Sequence, residues 1–255
     1  MTKSPCSKPS YHRYTAGGIF LLIGLWWMVS AAVGPLVLAS PPHVLQALFS
    51  MIGERSFYTH LGVTLLRLAA IFLLAAPGGA ALALPAAFDR RIEQLMEPFR
   101  WLCMTVPSVI VVVVLMFCMG MGSQMIVVFG ALILWPIMYI NVLKGSAAVD
   151  SDLLEMARVY RLSRRSRLRH VILPVMMPSI LAGAAQITCG AIRVTILAEV
   201  IGADNGIGAA VASTARNLET ARMNAWALIA LLLAIGMEFA VLRPLQQRVY
   251  QWKKQ

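Results

Sequence analysis

The chain has 255 residues, 59% of them hydrophobic and only 13% charged, with a formal net charge of +11. Ordinary globular chains carry about 25% charged residues, so this balance excludes a typical soluble domain and implies an all-α polytopic membrane protein. The basic excess sits in short segments between apolar runs, as topology signals do, which argues against nucleic acid as a partner.

Six membrane spans are expected. The first runs from about Ala16 to Leu38 behind a basic flank of Lys3, Lys8 and Arg13. No small-residue cleavage site stands convincingly before Pro41-Pro42, so this reads as an uncleaved span. Pro41 to Tyr58 predicts a short amphipathic helix along the membrane surface, with Val44, Leu45, Leu48, Phe49 and Ile52 on one side. The second span, about His60 to Phe88, contains Pro77-Gly78-Gly79, which should kink or loosen it. Arg67 is expected near its outer end, snorkelling to the interface. A charged turn from Asp89 to Arg100 leads to the third span, about Trp101 to Met119. After the turn Gly120–Ser123 comes the fourth, about Gln124 to Leu143. A basic loop, the fifth span (about Pro178 to Ile201), a turn from Gly202 to Arg222 and the sixth span (about Met223 to Leu242) follow. The chain thus divides into a cytoplasmic tail (1–15), a first span with an extracytoplasmic amphipathic segment (16–59), a core of five spans (60–243) and a basic cytoplasmic tail (244–255).

Charge sets the orientation. One set of flanks carries Lys3, Lys8, Arg13, Arg90, Arg91, Arg100, Lys144, the loop arginines, Arg243, Arg248, Lys253 and Lys254. The other carries only Arg55, Arg216 and Arg222. Both termini and the 144–172 loop are therefore expected in the cytoplasm. The cysteines Cys6, Cys103, Cys118 and Cys189 lack metal or disulfide spacing and read as buried thiols, and the histidines stand apart from one another. No metal site is expected. No G-x-x-x-x-G-K-[ST] phosphate loop occurs, so ATP, if used, binds another chain.

The basic loop has an internal order. Asp150, Asp152 and Glu155 precede Arg158, Arg161, Arg164, Arg165, Arg167 and Arg169, as suits a short helix whose dipole is complemented at both ends. A second basic segment, Ser163 to His170, leads to Leu173-Pro174, so two short helices joined at a bend are expected at the cytoplasmic face. A plain positive-inside loop would share the charge but not the spacing. Glu155-Met156-Ala157, the break at Arg161-Leu162-Ser163, and Val171-Ile172-Leu173-Pro174 with Pro178 resemble the EAA loop of binding-protein-dependent ABC importer permeases. Ala198-Glu199, Asp204-Asn205-Gly206-Ile207-Gly208 and Ala215-Arg216-Asn217 resemble the nitrate/sulfonate/taurine-type subgroup, and Thr64-Leu65-Leu66-Arg67 and Pro107 match its habits. The resemblance covers roughly residues 60–250.

The resemblance implies a type I ABC importer permease fold: six transmembrane helices with a cytoplasmic coupling-helix loop, in the bacterial inner membrane. It implies a second copy of the permease, cytoplasmic ATPase subunits that bind ATP and Mg, an extracytoplasmic substrate-binding protein, and no cofactor in this chain. Glu155, Met156, Ala157, Arg158, Arg161, Leu162, Leu173 and Pro174 would form the ATPase-coupling element. Met156 stands where the family has a small residue and Arg161 where it has glycine. Positive φ costs a non-glycine residue on the order of 1 kcal/mol, so Arg161 implies a differently shaped bend or a different ATPase contact. A component of an energy-coupling-factor transporter is the alternative, though that class lacks the Leu-Pro and Asp-Asn-Gly blocks. An integral membrane enzyme would need a polar catalytic cluster, and none stands out.

The fifth span carries polar residues. Gly183, Gln186, Gly190 and Arg193 share one helical face, with Thr188, Thr195 and Glu199 roughly opposite. An arginine inside a span costs about 3 kcal/mol on insertion scales, so it should face protein or water. Gln186, Arg193 and Glu199 are candidates for the translocation pathway, in which the Gln186–Arg193 stripe would offer positive charge to an anion. Alternatively, Arg193 pairs with Glu199 or with Glu238 on the sixth span.

Overall fold

The computed structural model describes residues 11–34 and 37–237. Lys3, Lys8, Glu238 and the tail from Arg243 to Lys254 lie outside the described residues. The described chain is all-helical: α1 (Tyr11–Val33), α2 (Pro41–Ile52), α3 (Arg55–Phe88), α4 (Arg90–Thr105), α5 (Ser108–Met119), α6 (Ser123–Ala147), α7 (Ser151–Val159), α8 (Arg164–Arg167), a π-helical turn (Leu168–Ile172), α9 (Leu173–Gly202), α10 (Ile207–Arg216) and α11 (Thr220–Met237).

Among the described residues four helices are long and apolar enough to cross a bilayer: Arg55–Phe88, Ser123–Ala147, Leu168–Gly202 and Thr220–Met237. The pair α4 and α5 would make a fifth if taken as one broken span, although its two halves bend by 100°. The expected third span is therefore not a single helix over Trp101–Met119. The break falls at Val106-Pro107, where Pro107 has no N–H to give and forces the preceding residue out of helix; Val106 is extended at φ −67° and ψ 128°. The expected charged turn before it is helical as well. Asp89 caps α4 by accepting the Arg91 N–H at 2.9 Å.

The centre of the molecule is α3, α6 and α9 packed side by side, with Leu68, Ile71, Leu134, Tyr139, Val142, Met176, Ile187 and Ile192 buried between them. Small residues let these helices approach. A Cβ on Gly130 would lie 2.5 Å from the Ile71 side chain, and one on Gly183 would lie 2.9 Å from Asn141 Cβ. The Pro77-Gly78-Gly79 segment does not interrupt α3, and Gly79 sits directly against the Trp135 carbonyl of α6.

A second apolar cluster joins α2, α10 and α11 through Val44, Met51, Ile207, Ala210, Ala225, Trp226 and Ile229. This corrects the expected face of α2. Val44, Ala47, Leu48 and Met51 turn inward, while Leu45, Phe49 and Ile52 are exposed, because α11 and not the membrane surface covers the inward side. The Gly202–Arg222 segment, expected as a turn, contains α10. The cysteine expectation also shifts, since Cys118 is exposed.

Candidate functional site

The start of α3, the start of α6 and the end of α9 meet in a buried polar network. Glu199, close to the end of α9, is 0% exposed. A carboxylate taken out of water needs several partners. Thr64 Oγ1 donates to it at 2.9 and 3.0 Å, Arg67 Nη1 at 2.8 Å and the Gly208 N–H at 2.9 Å. Arg67, 5% exposed, also donates to the Asn205 carbonyl at 2.6 Å and, through Nε and Nη2, to Ser123 Oγ at 3.1 and 2.9 Å. Thr64 Oγ1 accepts the Ile207 N–H at 2.8 Å, and His60 Nδ1 accepts the Gly206 N–H at 3.0 Å.

This network is the N-terminal cap of α10. The helix has no side-chain cap of its own at Gly206. Two of its first free N–H groups go instead to Thr64 and to the Glu199 carboxylate, which also meets the positive end of the helix dipole. Gly206 has φ +115°, and any Cβ there would run into the Glu199 carboxylate. The Asp204-Asn205-Gly206-Ile207-Gly208 block is thus the turn that wraps Glu199. Arg67 is not at the interface as expected: the ion pair with Glu199 compensates its loss of water inside the core.

The structure does not bring Glu199 together with Gln186 and Arg193. Glu199, Thr188 and Thr195 face inward on α9, whereas Gln186 and Arg193 are exposed on its other side. The Glu199–Arg193 pairing is excluded in this conformation by the Arg67 ion pair, and Glu238 lies outside the described residues. Gln186 Oε1 accepts from Asn141 Nδ2 at 3.3 Å. A Cβ on half-buried Gly190 would meet Leu134 at 2.9 Å, so the glycines of this stripe serve packing against α6.

At the opposite end of the core, α7 follows α6 in the chain and packs against the π-helical turn that precedes α9. Asp150 Oδ1 accepts the Asp152 N–H at 3.2 Å and caps it. Glu155 is exposed, Met156 is 49% exposed and Ala157 is buried, so the helix has one inward and one outward face. Arg158 lies in α7. The helix ends in a Schellman arrangement: Leu162 N–H reaches the Ala157 carbonyl at 3.1 Å, with Arg161 at φ +52°. Arg161 therefore adopts the left-handed conformation that glycine would, and the expectation of a differently shaped bend is corrected.

The second expected loop helix is not separate. Ser163 Oγ caps it by accepting the Ser166 N–H at 3.2 Å, but it continues through the π-turn into α9. Leu173 and Pro174 are half-buried in the first turn of α9. A proline there cannot donate to the carbonyl four residues back, and a π-turn is a common way for a helix to absorb that loss.

His60 and Ser123 are polar anchors that sequence reasoning passed over. Among the described residues, no group of three or more His, Cys, Asp and Glu side chains is placed to hold a metal ion.

Comparison with known proteins fits this architecture. Residues 75–249 match the family model described as binding-protein-dependent transport system inner membrane component. An aliphatic sulfonates transport permease protein of Bacillus subtilis is 26% identical over 96% of this chain and 91% of its own. The taurine transport system permease protein of Escherichia coli is 27% identical over 92% of this chain and 88% of its own. A chain of the inward-facing MetNI methionine ABC transporter superposes with a TM-score of 0.59, covering 76% of this chain and 94% of that one at 19% identity, a likeness of fold alone. The chain belongs to the family of binding-protein-dependent transport system inner membrane components, as a multi-pass transport subunit and not an enzyme.

Proposed function

We propose that this chain is the permease subunit of an ATP-driven importer, working as a homodimer in the bacterial inner membrane with six spans and both termini in the cytoplasm. An extracytoplasmic binding protein hands it a small anion, a sulfonate, nitrate or a taurine-like compound. ATP and Mg are held by separate ATPase chains, and the permease itself binds no cofactor. Membership of the family carries this reading, and relatives named for sulfonates and taurine support the substrate class.

Coupling runs through α7. Its outward face, with Glu155 and Met156 exposed, is available to a docking cleft, while buried Ala157 ties it to the core. Arg158, Arg161 and Leu162 extend the contact, and Leu173-Pro174 pass its movement to α9. Gln186 and Arg193 line the pathway. Glu199, the remaining pathway candidate, acts from within the helix packing by holding the outer turn in place.

Co-purification tests the proposal. A cognate ATPase subunit should come down with this chain from detergent, and Glu155→Lys should release it while the permease stays folded. An ATPase that never associates, or that ignores Glu155→Lys, would count against the assignment. Thermal shift of the cognate binding protein with taurine, ethanesulfonate and nitrate tests the substrate class. A response to a neutral heterocycle alone would reject the anion.

A further inference from the structure

The outer half of α9 carries a cation for which the described fold supplies no counter-charge. Arg193 is exposed, and no ion pair among the described residues involves it. Glu199, six residues on, is turned the other way and held by Arg67. The Arg193 face continues toward the cytoplasm past half-buried Gly190 to exposed Gln186, which is bonded to Asn141 of α6 at 3.3 Å. Seven residues of helix rise about 10 Å, so Arg193 and the Gln186–Asn141 pair are successive polar steps on one exposed strip. Hydrocarbon is a poor neighbour for a guanidinium, which points this strip toward protein or water.

We propose that Arg193 is the anion-selecting residue of the transport pathway, presenting its N–H donors to a sulfonate or comparable oxyanion, with Gln186 and Asn141 forming the next polar step inward. This rests on the permease reading above. A guanidinium is planar, always charged, and shaped to give two parallel hydrogen bonds to an oxyanion. Its charge has no use for a neutral cargo, and it would hinder a cationic one.

Thiol labelling tests the inference without knowledge of the natural substrate. In the full-length chain with Cys6, Cys103, Cys118 and Cys189 replaced by serine, Gln186→Cys is exposed in membranes to an impermeant sulfonate reagent, 2-sulfonatoethyl methanethiosulfonate, and to its trimethylammonium counterpart. Both should label it. Adding Arg193→Leu should lower the ratio of anionic to cationic labelling rates by about fivefold or more, as expected for one charge about 10 Å away in a partly desolvated site. Arg193→Lys should keep most of the ratio. No labelling at Gln186→Cys or at Arg193→Cys would overturn the proposal, because the strip would then be covered by lipid or protein. A ratio indifferent to Arg193 would also overturn it. ATPase co-purification scored on the same membranes separates the two claims: an ATPase that binds while the ratio stays flat removes only the anion site, and a responsive ratio without an ATPase removes only the importer.

Discussion

Two arginines stand inside apolar helices of this core, Arg67 on α3 and Arg193 on α9, and the fold treats them in opposite ways. Arg67 is buried, ion-paired with Glu199 and hydrogen-bonded to Ser123 and the Asn205 carbonyl. Arg193 is exposed and has no ion pair among the described residues. Hydropathy marks both as equally costly in a membrane. Their surroundings separate them: one charge is held inside the protein, where it fixes a turn, and the other meets no counter-charge among the described residues.

The sharpest way to break this contrast is to remove each guanidinium in turn. Arg67→Leu leaves the Glu199 carboxylate buried without its cation, which typically costs about 3–5 kcal/mol. Denaturant unfolding in detergent should show that loss, and Arg67→Leu combined with Glu199→Leu should recover part of it. Arg193→Leu should leave stability unchanged or slightly raised, since an apolar side chain replaces a charge that has no ion pair among the described residues. Equal losses from the two single variants would mean that Arg193 has a structural partner of its own.

The turn around Glu199 offers the next largest effect. Gly206→Ala would place a side chain at φ +115° and against the carboxylate. Such backbone positions cost of order 1–3 kcal/mol by themselves, and the clash adds to it. Loss of hydrogen-exchange protection should centre on α10, whose first N–H groups depend on this geometry. Protection lost evenly over the whole core would instead mean that the turn and the core unfold together. Ser123→Ala is milder. It removes the acceptor for Arg67 Nε and Nη2 and should cost about 1–2 kcal/mol in the same unfolding assay. A wild-type midpoint would show that water replaces the hydroxyl and reaches the network.

Much of the helical core was legible because hydropathy runs locate long helices; the fourth span was expected over Gln124–Leu143 and α6 covers Ser123–Ala147. Local exceptions were harder to read. Pro107 falls inside the expected third span, yet one helix ends and another begins there at 100°. α10 was missed because its segment opens on Asp204-Asn205-Gly206, a strong turn signal, although Ile207, Ala210 and Thr214 already trace a helical face. The Arg67–Glu199 pair joins residues far apart in sequence, beyond the reach of any periodicity. The rule that an arginine inside a span should face protein or water holds for Arg67 as much as for Arg193, yet a position near a span end allows the interface as readily as a buried partner. Helical spacing separates the faces of α9 in part: Thr188, Thr195 and Glu199 are inward and Gln186 and Arg193 outward, but Gly183 of the latter stripe is buried and Gly190 half-buried against α6.

A third arginine extends the comparison from charge to backbone. Arg161 is exposed at the end of the core opposite Glu199 and has no burial to compensate; its cost is conformational, a non-glycine residue at φ +52° that closes α7. Arg161→Gly removes that strain but also loosens the unfolded chain, so the two effects oppose each other. The strain is the larger, and a net gain of about 0.5–1 kcal/mol local to α7 is expected. Hydrogen exchange at Tyr160 and Leu162, whose amides close the helix end at 3.0 and 3.1 Å, reads it directly. Slower exchange there with unchanged global unfolding would confirm that Arg161 holds a bend that glycine would hold more easily. Unchanged exchange combined with weaker ATPase co-purification would move its role from the shape of the bend to the contact it makes.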